Sequence, residues 1–264
     1  MSRRIELELR VGGRRLEAIE LPGESHLCPL VLLHEGLGSV SQWRGFPEAL
    51  RQATARRVIA YSRFGHGTSD PPPAPRTPAF FHEEALDVLP EVLRQFDVQE
   101  PILVGHSDGA SIALVHAGTY PVRGLVLLAP HVVVEEVTLA AIRETRDLFE
   151  TGDLRERLAR HHVDPDAAFS GWCDVWLDPS FRSWTLEADA ERVDRPVLMI
   201  QGEDDPYGTL DQLDRIEARV RGQVFRIVLP GGHGLHRESP EEVVEELVRY
   251  LGVIDDHTRR AARS

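Results

Sequence analysis

Apolar residues follow two patterns along the chain. Segments 5–11 and 14–21 alternate apolar with polar residues around Gly12 and Gly13, the period of two that marks an antiparallel hairpin with one wet face. Further on, 29–34, 57–61, 101–105, 122–128, 197–201 and 224–229 are short continuous runs rich in Val, Ile and Leu, suited to strands buried on both faces. Helix-length segments separate them, at 41–53, 80–96, 107–119, 210–221 and 240–251. Strand and helix in alternation predict a mostly parallel sheet with helices on both faces and the hairpin as its antiparallel edge, hence an α/β fold.

One interval breaks the rhythm. No buried-strand run occurs between Pro130 and Arg195, while 137–150 and 153–161 have helical spacing and Phe149, Phe169, Trp172, Trp176, Phe181 and Trp184 are spread through it. A structureless loop of that length does not suit a compact domain, so the interval is expected to be a helical insertion over the sheet. The expected organisation is a core of 1–130 and 195–254, a cap of 131–194 and a flexible tail of 255–264.

Composition narrows the partners. A formal net charge of −13 disfavours a nucleic-acid backbone or an anionic membrane surface and leaves a small molecule as the expected partner. All 30 basic residues are arginine, which removes lysine-based Schiff-base chemistry and the lysine of a phosphate-binding loop. Cys28 and Cys173 are too far apart and too few for a disulfide scaffold or a CxxC site. The N-terminal stretch mixes charge with apolar residues and lacks the core of a signal peptide, so a cytoplasmic location is expected. The choice between monomer and homodimer stays open.

The candidate chemistry centres on GHSDG. Gly105, Ser107 and Gly109 form a GxSxG pattern between a buried strand and a helix. A reversal that sharp leaves no room for side chains at the glycines and exposes the serine hydroxyl, while the N–H of Asp108 points at any oxyanion beside it. A serine needs a base, and the base an orienting carboxylate. Strand 197–201 runs into GEDDP and strand 224–229 into PGGHG, so Asp205 and His233 fall at the same sheet edge, in the order Ser107, Asp205, His233.

With these residues placed, the chain resembles the α/β-hydrolase superfamily in its capped single-domain form. The stretches LLHEGLGSVSQW, YSRFGHGTSD, GHSDG, QGEDDPYG and GGHGLHRESPEEV carry the likeness. It implies an eight-stranded sheet, Ser107 as nucleophile, His233 as general base, Asp205 as acid, and the backbone N–H of Gly36 as second oxyanion donor, with no cofactor. Where such sequences usually have glycine after the histidine, this chain has Glu35, which leaves Gly36 and Leu37 as alternative donors. Glu35 either binds a substrate group or pairs with an arginine such as Arg63.

In the cap, Trp172, Trp176 and Trp184 are spaced for one helical face, and with Glu35 and Leu37 they are candidate substrate contacts. His161, His162, Asp164 and Asp166 are adjacent, yet neighbouring histidines point to different sides, so no metal site is expected. The leading expectation is a serine hydrolase of small esters, thioesters or lactones. Two alternatives are carbon–carbon bond hydrolysis of an anionic ring-cleavage product, with a cap arginine such as Arg182 in the pocket, and a non-catalytic small-ligand receptor.

Overall fold

In the computed structural model, which describes residues 4–261, eight strands form one sheet. The hairpin is β1 (Ile5–Val11) and β2 (Arg14–Leu21), followed by β3 (Leu30–Leu33), β4 (Val58–Tyr61), β5 (Ile102–His106), β6 (Gly124–Leu128), β7 (Val197–Gly202) and β8 (Val224–Leu229). Their order is β1-β2-β4-β3-β5-β6-β7-β8, with β1 and β2 antiparallel and the six later strands parallel to one another. This is the mostly parallel sheet expected from the pattern of apolar runs.

Alternate residues of the continuous runs feed two separate cores. Val31, Leu33, Ile59, Leu103, Leu125, Leu127 and Met199 face one side, and Leu30, Leu32, Val58, Ile102, Val104, Val126 and Ile200 the other. The helices are α1 (Phe46–Thr54), α2 (Phe80–Glu83), α3 (Leu89–Gln95), α4 (Asp108–Ala117), α5 (Glu136–Thr151), α6 (Leu154–Leu158), α7 (Pro165–Leu177), α8 (Glu187–Ala190), α9 (Asp211–Arg219), α10 (Leu235–Glu238) and α11 (Pro240–Ala261). Phe46 and Leu50 of α1 with Val243, Leu247 and Tyr250 of α11 close one core; α3, α4 and α9 close the other. Burying both faces is what permits runs with no polar alternation.

Two expected helices are interrupted. Segment 41–53 is a 3₁₀ turn at Val40–Trp43, a reversal at Arg44 with φ +51°, and then α1 with Pro47 in its first turn. Segment 80–96 passes through a π turn at Glu84–Val88 between α2 and α3. Pro90 has no N–H for a carbonyl in the preceding turn. The carbonyls of Ala85 and Leu86 instead accept from His116 Nδ1 at 2.8 Å and Tyr120 Oη at 3.2 Å.

Helices α5, α6 and α7, a 3₁₀ turn at Pro179–Ser183 and α8 occupy the interval between β6 and β7. The segment 255–264, expected as a flexible tail, is helical as far as Ala261, and Asp255 pairs with the buried guanidinium of Arg56 at 2.5 Å. Residues 262–264 lie outside the described residues. No helix among the described residues is long and apolar enough to cross a membrane.

Candidate active site

The turn from β5 into α4 is as tight as its glycines suggest. Ser107 has φ +53° and ψ −120°, a region that costs a non-glycine residue about 1–3 kcal/mol and persists only where the surroundings enforce it. A methyl group on Gly105 would overlap the carbonyl of Gly109, and one on Gly109 the carbonyl of Leu33 on the neighbouring strand. Ser107 N–H donates to Leu128 O at 2.9 Å, which ties the turn to the end of β6. The Ser107 side chain makes no hydrogen bond among the described residues. Links between a serine and its base are often long in an unloaded site and tighten on substrate.

Asp205 and His233 come from the loops after β7 and β8. His233 Nδ1 lies 2.9 and 2.8 Å from the two Asp205 oxygens. The carboxylate is fully buried and also accepts from Gln201 Nε2 at 2.9 Å and Tyr207 N–H at 2.8 Å. Burial would raise the Asp205 carboxyl, but the bonds from His233 and Tyr207 outweigh it and hold the group below its ordinary value. Burial lowers His233, and Asp205 restores only part of the shift. The imidazole is therefore neutral near pH 7, with Nδ1–H on the carboxylate and Nε2 free to accept a proton.

The segment after β3 supplies backbone donors. The N–H groups of Gly36 and Leu37, like that of Asp108 at the start of α4, make no hydrogen bond among the described residues, and all three residues line the cavity that holds Ser107. His34 is a buried link beneath them: Nδ1 donates to Glu35 O at 2.7 Å, and Nε2 accepts from Arg63 N–H at 3.0 Å. Arg63 does not pair with the Glu35 carboxylate as weighed from the sequence; its guanidinium donates to the carbonyls of His34 and Glu35. The Glu35 carboxylate lies instead 3.5 Å from His106 Nδ1 and 3.6 Å from Arg237 Nη1. Burial would raise it, but the His106 ring and Arg237 hold it well below its ordinary value.

Asp108 is the other carboxylate at the site. It is buried, its Oδ1 accepts from Trp176 Nε1 at 3.2 Å, and burial pushes its pKa up to about 6 against the nearby guanidinium groups of Arg63 and Arg76.

These groups surround a cavity of about 610 Å³ roofed by α5, α6 and α7. Ser107, Asp108, His233, Glu35, Gly36, Leu37, Trp172 and Trp176 all line it. Trp184 does not. Helix α7 ends at Leu177, where Asp178 breaks the helical path, so Trp184 leaves the face of the other two and packs on Phe81, Phe181 and Trp176. Arg182 is also outside the wall, where it pairs with Glu136 at 2.9 Å.

Several wall residues were not singled out from the sequence. His131 follows β6, and burial lowers its pKa to about 3; Tyr207 follows β7, with its ring 4.8 Å from that of His233; Thr138, Ile142 and Thr145 come from α5. Strand-end position was the available signal for the first two. His161 and His162 diverge as expected: His161 meets Ser41 Oγ at 2.8 Å, while His162 accepts from Gly67 N–H and donates to Leu37 O at 2.9 Å, tying the roof to the donor loop. Among the described residues, no three His, Cys, Asp or Glu side chains gather as a metal site would need.

Comparison with known proteins agrees with this fold. A family model described as "Alpha/beta hydrolase family" matches residues 30–246. The human "Serine hydrolase BPHL" is 26% identical over 194 residues, 70% of this chain and 66% of the relative, so the match spans just under two thirds of its length. "Esterase YbfF" of Escherichia coli (strain K12) is 23% identical over 242 residues, 84% of this chain and 92% of the relative. Among solved structures, the enol-lactonase from Burkholderia xenovorans LB400 superposes with a TM-score of 0.74 at 21% identity, covering 93% of this chain and 100% of that one. A haloalkane dehalogenase variant from Bradyrhizobium elkanii gives 0.77 at 17% identity, covering 98% and 100%.

Proposed function

The chain belongs to the alpha/beta hydrolase family, and from that footing we propose that it hydrolyses a small carboxylic ester, thioester or lactone through an acyl-enzyme on Ser107. The reading rests on one observation above the others: a serine on a strained strand-to-helix turn shares a cavity with a neutral histidine held through Nδ1 on a buried aspartate. His233 Nε2 takes the Ser107 proton as Oγ attacks the carbonyl carbon, and Asp205 stabilises the imidazolium that results. The N–H of Asp108, with that of Gly36 or Leu37, receives the developing oxyanion. His233 then returns the proton to the departing alcohol or thiol. A water, deprotonated by the same nitrogen, attacks the acyl group and regenerates the serine.

The cavity wall suits an acyl group of mixed character, with Ile142, Leu148, Leu154, Leu158 and Trp172 on its apolar part. Carbon–carbon bond hydrolysis of an anionic ring-cleavage product stays the alternative: Arg182 is paired with Glu136 away from the cavity, whereas Arg157 of α6 lines it. A screen of p-nitrophenyl esters of increasing acyl length, a phenyl thioester, an aromatic lactone and a vinylogous diketone tests the reading. Turnover of the first three classes, abolished in Ser107→Ala and His233→Ala, is expected; turnover of the diketone alone would replace it with the carbon–carbon alternative, and none with a receptor.

A further inference from the structure

The loop that carries His233 is built from Gly231, Gly232 and Gly234, with φ +129° at Gly231, and has no regular structure between the end of β8 and α10. A base on such a loop holds its position only through outside partners. Glu238 supplies one set from below, its carboxylate accepting from Gly232 N–H at 2.6 Å and Gly234 N–H at 3.1 Å. The carbonyl of His233 itself is held from the other side by His106 Nε2 at 2.8 Å. A carbonyl can only accept, so Nε2 carries the hydrogen.

That fixes the rest of the ring. Nδ1 is buried, has no hydrogen-bond partner among the described residues and faces Glu35 Oε2 at 3.5 Å. The carboxylate thus packs against the ring on its Nδ1 side, while Nε2 holds the His233 carbonyl. The second Glu35 oxygen faces Arg237 of α10, four residues beyond His233. One oxygen thus faces the ring that holds the His233 loop, and the other faces a guanidinium of α10, the helix that directly follows that loop. Gly38 makes room for the carboxylate, since a methyl group there would overlap Glu35 Oε2.

We propose that Glu35 and His106 form a second carboxylate–histidine couple, a pair of positioning residues that fix the backbone of the catalytic histidine from behind. This rests on the reading of Ser107 and His233 as nucleophile and base. It gives the glutamate that replaces the usual glycine after His34 a task other than substrate contact, although its side chain reaches the cavity wall with 15% exposure.

Two rates test the couple: kcat and KM on a p-nitrophenyl ester, and the rate at which a fluorophosphonate labels Ser107. Glu35→Ala is expected to lower kcat and the labelling rate together by at least about tenfold, with KM within about twofold. Glu35→Gln, whose amide can donate to His106 Nδ1 and accept from Arg237, should recover both rates to within about threefold of the parent. His106→Phe should resemble Glu35→Ala, and the double variant should be no worse than the poorer single one, because the two act as a unit. Should His106→Phe not fold, the Ala and Gln variants at position 35 still decide.

A rise in KM at constant kcat, a Gln variant as slow as the Ala variant, or costs that add in the double variant would overturn the couple. A parent that labels at Ser107 but turns over no ester would overturn the hydrolytic reading alone, and the labelling rates would still test the couple.

Discussion

At the scale of single residues, acyl transfer depends on which atoms carry protons. The base must be neutral to accept the serine proton, and burial keeps the pKa of His233 below its ordinary value. Lowering the pH through that pKa protonates Nε2, so kcat/KM should fall on the acid side with a midpoint below about 6.5. A pH profile of kcat/KM from 5 to 8 checks this, and an acid limb centred well above 6.5 would mean that Asp205 outweighs burial. The gathering of Ser107, Asp205 and His233 was readable in the sequence because each lies within four residues of the end of an apolar run, and parallel strands deliver their carboxyl ends to one edge. The partner of Glu35 was not readable. His106 and the carbonyl of His233 are 127 positions apart, and a side-chain-to-backbone bond leaves no trace in residue type.

At the scale of elements, the close approach of β5, α4 and β3 limits substitution in the turn that carries Ser107. Gly109 sits where the first turn of α4 touches the backbone of Leu33, which cannot move without displacing a central strand. Gly109→Ala should therefore destabilise the fold by about 1–3 kcal/mol or more, beyond the slight gain in helix propensity, and chemical denaturation of the two proteins measures it. An unchanged midpoint would mean that the turn is looser than its geometry implies.

The strands and most helices were legible from periodicity, the hairpin as alternation and the central parallel strands as uninterrupted Val, Ile and Leu; β8, expected to be buried on both faces, is the edge strand and is only half-buried. Less was legible where backbone chemistry overrides periodicity. Pro90 turns one expected helix into α2, a π turn and α3, and Asp178 ends α7 before Trp184 can join its face. The roof over the site could be expected as helical, but which of its side chains enter the cavity depends on such breaks.

At the scale of the whole molecule, several histidines are buried and held neutral. His34, His66, His131 and His236 are all buried, and burial lowers the pKa of each. Below pH 6.5 the unfolded chain takes up protons at these sites that the folded chain refuses, so stability falls as pH falls, by up to about 1.4 kcal/mol per pH unit for each group. Asp108 and Glu84, both raised by burial, bind protons in the folded state and oppose the trend, but His116, His162 and His233, lowered likewise by burial, add to the four histidines and outweigh them. The melting temperature should drop markedly between pH 7.5 and 5.0, whereas an unchanged or higher value at pH 5.0 would contradict this balance.

The central claim, that this architecture presents Ser107 for acyl transfer, is tested most directly by mass spectrometry of protein quenched in acid during turnover of p-nitrophenyl acetate. One acetyl group on the peptide containing Ser107, absent from Ser107→Ala, is the predicted result. Turnover with no acyl-enzyme, an acetyl group on another residue, or an undiminished rate in Ser107→Ala would contradict the account.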